Sequence, residues 1–598
     1  MRRFDGSDYV PELDDHRLNP QYVRIFNLMS DKHWRTLIDI ESETGYLQSS
    51  ISAQLRHMRK KRFGEHTVNK RPRGDRTHGL WEYQLIINEG PAVITERKTA
   101  TLYGGVTIAG RPDLENVRKL DLLPIPMVRK MQRYGIAIDI PYLRDFSSDL
   151  GREMADLERD IASYIPPDKL HLFTEQSSEI EEVGGLAEIN ANSAAQIRAL
   201  LFDLLKVGSG RKLKATKGGL VSTGKKQLEL CRDDHPVVHK VLQYRERSKL
   251  KSAFADSLPL KAKLHPRSKC CPVCELPHVD ATWRVHTEFT TTRAETGRFS
   301  SKNPNLQQIP VRSELGGKIR YAFLASPGTR LVSCDFSQIE LRDLAHCANA
   351  QSMILVYSED KDIHLYTACQ TFGKDYDHFA WLAQLKEQGA LPLEHKQEWA
   401  DFSLFCRLPS KNVNFMIVYG ATAIGLQAQL ALSNLLWTEE QCDAFIDKWY
   451  GLYNEVREYM DLQHYRARRY GYVWDVFGRV RRVPETRSTH SYIRAQGLRQ
   501  AGNMPIQSAS AGQTKLVMGL LDEDFTNIYS DGGGPWVWPL LTIHDQLIAE
   551  VDEDASDDVL DVMKDRFRSV MTDQGTGEHL WRVPIKSDGQ IMERWVKD

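Results

Sequence analysis

The chain has 598 residues, 41% hydrophobic and 27% charged, with a net charge of −1 and nine cysteines. That length allows several domains, and the composition is that of a globular protein rather than a disordered or fibrous one. No apolar run is long enough to cross a bilayer and Met1-Arg2-Arg3-Phe4-Asp5-Gly6 has no signal-peptide core, so the expectation is a cytoplasmic monomer without a membrane partner, its scattered cysteines reduced. With so balanced a charge, a polyanionic partner must be met by local clusters of basic residues.

Residues 1–19 read as an arm. Trp34, Leu37 and Ile38 mark a short helix, Thr44-Gly45 a turn, and Ser49 or Ser50 can cap a second helix carrying Ile51, Leu55 and Met58. From Arg56 to Arg76 the basic residues Arg56, Arg59, Lys60, Lys61, Arg62, Lys70, Arg71, Arg73 and Arg76 outweigh the acidic Glu65 and Asp75. Lys70 to Gly79 reads as a hairpin tip, and Leu80 to Leu85 alternates like a returning strand. Residues 20–88 together resemble a winged-helix domain, which implies a helix in a groove and a basic wing on phosphates. A small helical domain that docks on protein fits the same pattern. Residues 89–115, with Gly90-Pro91, Gly104-Gly105 and Gly110-Arg111-Pro112, read as a linker.

Long helical stretches with Arg and Lys follow, suited to gripping a duplex through its backbone. Then His265 to His278 carries Cys270, Cys271 and Cys274. Cys271-x-x-Cys274 with His278, completed by Cys270, His265 or His286, has zinc-ligand character, although no second clear pair is present and a surface hairpin with reduced thiols explains it as well.

Two later strings place a carboxylate at the end of an apolar run that reads as a strand. Leu331-Val332-Ser333-Cys334 precedes Asp335, and Leu540-Leu541-Thr542-Ile543 precedes His544-Asp545-Gln546. Two strand-borne carboxylates can clamp a pair of Mg²⁺ ions for phosphoryl transfer. Between them Arg407, Lys411, Phe415 and Tyr419 recur every fourth residue, along one face of a helix. Arg and Lys there can hold triphosphate oxygens, and the aromatics can stack on a base. An amphipathic helix with a solvated basic end fits that spacing equally.

Asp335-Phe336-Ser337-Gln338-Ile339-Glu340-Leu341-Arg342, Arg407 to Gly420 and His544-Asp545-Gln546 resemble, in order, motifs A, B and C of the family A DNA polymerases, the bacterial DNA polymerase I type and its phage relatives. Thr296 to Pro310 resembles the segment ahead of motif A, Arg499 to Gln507 the segment ahead of motif C, and Tyr244 to Lys251, Asn190 to Ser193 and Ser222-Thr223 the thumb. The resemblance spans roughly residues 115–598. It implies an α+β right-hand fold: residues 116–262 as polymerase N-terminal part and thumb, 263–342 as first part of the palm with a Cys/His hairpin at 265–286, 343–495 as fingers and 496–598 as second part of the palm.

It also implies template-directed addition of dNMPs to a primer 3′-hydroxyl, with primer-template DNA and dNTPs as partners. Asp335 and Asp545 would bind two Mg²⁺. Gln338, Glu340, His364, Arg407, Lys411, Phe415 and Tyr419 would bind the nucleotide, Lys411 protonating the leaving pyrophosphate. Glu340 would act as the steric gate against ribose, and Phe415 in place of Tyr implies discrimination against dideoxynucleotides. Lys249, Arg298, Asn305, Gln307, Arg499, Asn503, Gln507 and His544 would contact DNA. Gln546 departs from the usual Glu, which puts a catalytic role there in doubt.

Ile38-Asp39-Ile40-Glu41 resembles the first motif of a proofreading exonuclease, but about 75 residues before the polymerase region are too few for that fold, and further carboxylate motifs are missing. The expectation is therefore no proofreading in this chain, a phage replication role, and reliance on a separate exonuclease or other replisome proteins. A gap-filling or translesion repair polymerase is the alternative. Glu340 and the Asn305-Leu306-Gln307-Gln308 segment argue against a single-subunit RNA polymerase.

Overall fold

The computed structural model describes residues 21–596 except 23, 27, 60–65, 74–80, 87–99, 170–172, 174–188, 211–212, 214, 217, 269, 275–279, 311–312 and 530–535. The chain divides into two units, residues 1–99 and 100–598.

In the first unit, helical residues from 21 to 29 are followed by the strand Arg35–Thr36, the helices Leu37–Thr44 and Gln48–Met58, and the strands Thr67–Pro72 and Trp81–Ile86. The strands form an antiparallel sheet with Trp81–Ile86 in the middle. Thr36 and Asp39 close the first of these helices by a reciprocal capping box, and Gly45, at φ 77°, ends it. Ile25, Met29, Ile40, Ile51, Leu55 and Met58 form the core. Several details differ from the sequence reading. Trp34 lies ahead of the strand Arg35–Thr36 rather than in the helix, and Lys70 to Pro72 belong to a strand rather than to the hairpin tip. Ile38 is 53% exposed, because Ile40 takes the inward position. Neither Ser49 nor Ser50 is a cap: the helix starts one residue after Leu47, so both serines lie inside its first turn. The described basic residues Lys70 and Arg71 are exposed but have local partners. Arg71 donates to Glu82 (2.9 Å) and lies over the Trp34 ring, and Lys70 lies over Trp81.

The second unit starts earlier than expected. Residues 100–115 are no linker. Leu102 and Val106 are fully buried, Thr101 N–H donates to Asp573 (2.7 Å), and Ala109 N–H donates to the Val476 carbonyl (2.8 Å). The glycines that suggested a linker serve tight turns instead; Gly104, Gly105 and Gly110 all have positive φ.

The helices Ile140–Ala162 and Pro236–Leu250 pack together, with a separate core of Ile161, Ile197, Leu200, Leu228 and Val241 beside them. Asp139 caps the first of these helices, and Pro141 occupies its first turn. The centre of the unit is an antiparallel four-stranded sheet in the order Val537–Ile543, Gln546–Asp552, Thr329–Phe336, Ser587–Met592. Continuous apolar runs suit strands covered on both faces, and the helix Ser556–Ser569 packs on this sheet. A second four-stranded sheet runs Phe323–Leu324, Ile136–Ile138, Thr282–Val285, Lys263–His265.

The two sheets are joined by a fully buried ion pair, Arg284 Nη2 to Glu550 Oε2 at 2.7 Å, with Glu550 Oε1 also accepting the Ser326 N–H (2.6 Å). Helices from Ile339 to Tyr470 form the largely helical middle of the unit. The helix Ser491–Tyr529 returns to the sheet; Gln513 donates to Asp343 (2.7 Å), and the buried Lys515 pairs with Asp121 (2.7 Å).

Candidate active site

Asp335 lies near the end of the strand Thr329–Phe336, opposite Gln546 on one neighbour and Asp588 on the other. His544 and Asp545 form the two-residue turn between Val537–Ile543 and Gln546–Asp552, His544 taking φ 58°. Asp545 is therefore one residue from the cross-strand partner of Asp335, and the two carboxylates occupy adjoining strand ends. Burial pushes the Asp545 carboxyl up to about 6; Arg298 opposes the rise and Glu340 adds to it. Buried oxygen donors of this kind suit a hard divalent cation such as Mg²⁺. The Gln546 amide donates to Ser333 Oγ (2.8 Å).

The helix Ile339–Ala348 follows directly, entered through Gln338 in the left-handed region (φ 55°). Tyr357 Oη donates to Gln338 Oε1 (3.3 Å). Glu340, in the first turn, accepts from the Arg298 guanidinium on one oxygen and from Tyr419 Oη (2.8 Å) on the other.

Tyr419 terminates the helix Leu408–Val418, which carries Lys411 and Phe415. The fourfold spacing does not extend through one regular helix. Arg407 belongs to a wider π turn, Ser403–Arg407, that leads into it. Phe415 and Tyr419 are 39% and 47% exposed and line a cleft of about 630 Å³ with Asn412, Met416, Gly420 and Arg499. Gly420 has φ 72°, and a Cβ there would lie 2.6 Å from Arg499 Cγ, so no other residue fits without displacement.

Arg407 is held by Asp362, Nη2 to Oδ2 at 2.6 Å. Asp362 also caps the helix Ile363–Phe372 through the His364 and Leu365 N–H groups. Burial opposes ionisation of Asp362, yet Arg407 and the His364 N–H hold its carboxyl below the ordinary range. Burial pushes His364 down to about 4, with Arg407 and Lys411 contributing and Asp362 opposing. Its Nδ1 accepts from Asn414 Nδ2 (3.0 Å), and Asn414 Oδ1 accepts from Trp449 (2.6 Å). The His364 and Phe415 rings lie 5.0 Å apart. His364 is thus a neutral, fixed imidazole next to the basic pair.

Asn305 accepts the Gln307 N–H (3.1 Å), capping the turn Leu306–Gln308. Gln307 spans from the Ser301 N–H (3.1 Å) to the Thr542 carbonyl (3.0 Å), next to the His544 turn. Arg499, Asn503 and Gln507 recur every fourth residue on Ser491–Tyr529, and Asn503 Oδ1 is buried without a hydrogen-bond partner. Lys249 is exposed near the end of Pro236–Leu250 and lines a second cleft of about 730 Å³ with Lys225, Arg232 and Arg245, closed by Pro310 and Ser313.

Asp362, Asn414 and Gly420 were not singled out from the sequence. A capping reading of Asp362-Ile363-His364 would have found the first; the second needs the three-dimensional partners. Cys271 and Cys274 come together with His265, while His278 lies outside the described residues.

Residues 169–382 and 396–597 match the family model for DNA polymerase family A. The chain is 32% identical over 505 residues to the thermostable DNA polymerase I of Thermus aquaticus, covering 84% of this chain and 51% of that protein. It is 30% identical over 472 residues to DNA polymerase I of Rhizobium leguminosarum, covering 79% of this chain and 39% of that one. The POL domain of Pol1 from M. smegmatis, solved in complex with DNA primer-template and dNTP, superposes with a TM-score of 0.62 at 25% identity, over 80% of this chain and 72% of that one. The chain spans about half the length, or less, of these two curated relatives. It belongs to DNA polymerase family A, and its fold is the α+β polymerase fold expected from the sequence.

Proposed function

We propose that the chain is a template-directed DNA polymerase that extends a primer 3′-hydroxyl with dNMPs and releases pyrophosphate. The observation that carries this reading is the meeting of Asp335 and Asp545 at adjoining strand ends, together with the bond from Glu340, beside that sheet end, to Tyr419 at the close of the basic-aromatic helix.

Asp335 and Asp545 would hold two Mg²⁺ ions. Bound there, such ions lower the pKa of the primer hydroxyl and neutralise the triphosphate. Arg407, its fork aligned by Asp362, and Lys411 bind the β- and γ-phosphates; Lys411 returns a proton to the leaving pyrophosphate. Phe415 packs on the incoming sugar and base. Glu340 crowds a ribose 2′-hydroxyl. Tyr419 leaves Glu340 when a correct pair closes the site, an induced-fit contribution to fidelity. Arg298, Asn305, Gln307, Arg499, Asn503, Gln507 and His544 line the path of primer and template, where shared minor-groove acceptors report pair geometry without sequence. Lys249 and the cleft around it hold the duplex backbone.

In this reading the thumb extends to residue 262, the palm comprises 263–342 and 496–598, the fingers 343–495, and residues 20–88 form a winged helix for DNA or a replisome partner. A polymerase without its own proofreading is supported by Asp39, which is engaged in a helix cap, and by Glu41, which takes a bond from Gln48 (2.8 Å). The reading includes a phage replication role in a host cytoplasm, with a separate exonuclease.

The test is extension of a short primer-template with Mg²⁺ by wild type and by Asp545→Ala, on matched and 3′-mismatched primers. Extension by wild type only, with the mismatch untrimmed, is expected. Trimming that vanishes with Asp39→Ala would overturn the reading of the first unit, and equal extension by both proteins would overturn that of the site.

A further inference from the structure

We propose that His265, Cys271 and Cys274 form a structural zinc site, with His286 fixing the orientation of His265. The strands Lys263–His265 and Thr282–Val285 pair as a hairpin, His265 opposite Thr282, and the described residues 266–268, 270–274 and 280–281 lie in the loop that joins them. Such a loop has few means of burying its own tip. Cys271 and Cys274 are nonetheless fully buried, as is His265. One ligand atom from each of the three lies within 4.8 Å of the other two. Two thiols and an imidazole at that spacing are the donor set zinc prefers.

Two further contacts point the same way. The Val273 N–H is directed at Cys271 Sγ (3.4 Å), and donation to sulfur stabilises a thiolate, the form that binds metal. His265 Nε2 is 3.0 Å from His286 Nε2, and His286 Nδ1 is 2.9 Å from the Gln132 carbonyl. A carbonyl only accepts, so Nδ1 of His286 carries its proton and its Nε2 receives the proton of His265. The remaining ring nitrogen of neutral His265 is then unprotonated, as a ligand must be. A relay of this kind behind a metal-bound histidine is a usual means of fixing its tautomer.

The other grouping of candidate ligands among the described residues, His378, His395 and Glu398, is a set of surface contacts between half-exposed side chains and lacks sulfur. The zinc would close the loop of residues 266–281 against the second sheet, which the buried Arg284–Glu550 pair joins to the catalytic one. Its contribution is to folding free energy rather than to the chemistry.

Protein purified without chelator from zinc-supplemented medium should contain about one zinc per chain, and cobalt in its place should give thiolate-to-metal absorption bands. Wild-type protein with neither zinc nor those bands overturns the site, whatever the behaviour of any variant. The Cys271→Ser, Cys274→Ser double variant should lose the metal, whereas Cys231→Ser, altered in the separate core near Val241, should keep it; zinc retained by the double variant overturns the ligand assignment. His286→Ala should keep the cobalt bands but lose zinc to a competing chelator about 10–100-fold more readily. Unchanged affinity would overturn the role given to His286.

Discussion

The central sheet and the helix Leu408–Val418 present their polar groups in opposite ways. At the sheet, Asp335 stands near the end of a strand and Asp545 in the turn beside it, and the supporting polar contacts are sequestered: Arg284 with Glu550, and Asp343 with Gln513 and Trp581. Around the helix, Phe415 and Tyr419 are partly exposed at an open cleft, and Tyr419 is joined to Glu340 beside the sheet. Charges in the first region are fixed before substrate arrives, which is what electrostatic preorganisation requires. Groups in the second are positioned by contacts weak enough to be exchanged. Substitutions at the sheet and its buried supports should therefore remove chemistry or stability, and substitutions around the cleft should alter selection while leaving the fold intact.

The largest effect is expected at the strand ends. Asp545→Ala should lower the single-turnover rate by roughly a thousandfold or more, the several kcal/mol expected for loss of metal-borne charge stabilisation, with primer-template binding largely kept. Rapid-quench kinetics check this, and a tenfold loss or less would dissolve the contrast. Glu550→Gln leaves Arg284 buried without its counter-charge and should cost about 3–5 kcal/mol of stability, read as a lower thermal or denaturant midpoint.

His346, on the helix Ile339–Ala348 that follows the Asp335 strand, supplies a pH test. It stacks on Trp581 at 3.6 Å, its Nδ1 accepts the Arg582 N–H (3.1 Å), and burial pushes it down to about 3, with Arg582 contributing. A depressed folded value means that stability is full above the unfolded value near 6.5 and is lost as pH falls through that window toward 3. The full shift corresponds to about 5 kcal/mol, and His346→Phe should flatten this part of a denaturation-versus-pH curve.

The contacts around the open cleft should respond more gently. Glu340→Ala should admit ribonucleotides without a large change in stability; unchanged sugar selectivity in competition assays would remove Glu340 from the gate. Tyr419→Phe removes one hydrogen bond and should change stability by about 1 kcal/mol or less, its signature being altered nucleotide selection in steady-state kinetics.

The parts legible in the sequence were those set by local pattern. Asp335 and Asp545 could be placed because an apolar run and the residue after it define a strand end. Thr44-Gly45 could be placed because a left-handed residue ends a helix. Lys411, Phe415 and Tyr419 followed from helical spacing, but the π turn at Ser403–Arg407 did not, since a wider turn has no period of its own in four residues. Residues 100–115 were misread because their glycines are local and their partners, Val476 and Asp573, are distant. The clamp of Asp362 on Arg407 escaped for the same reason; His265 was one of several residues the sequence offered beside Cys271 and Cys274, and choosing among them needed the hairpin register. Ser49 and Ser50 show the converse: good capping residues yield when the core residues Ile51 and Leu55 set where the helix begins.

The helix Ser491–Tyr529 has 39 residues, a rod of about 58 Å at 1.5 Å per residue. Its far portion is clamped at Gln513 and Lys515, while Arg499 and Asn503 lie on its other arm. Pro505 sits between the two and has no N–H with which to bond the preceding turn. Mechanically this is a rod with one rung missing: the turn before Pro505 lacks a hydrogen bond, so bending there costs less than in the portion anchored at Gln513 and Lys515.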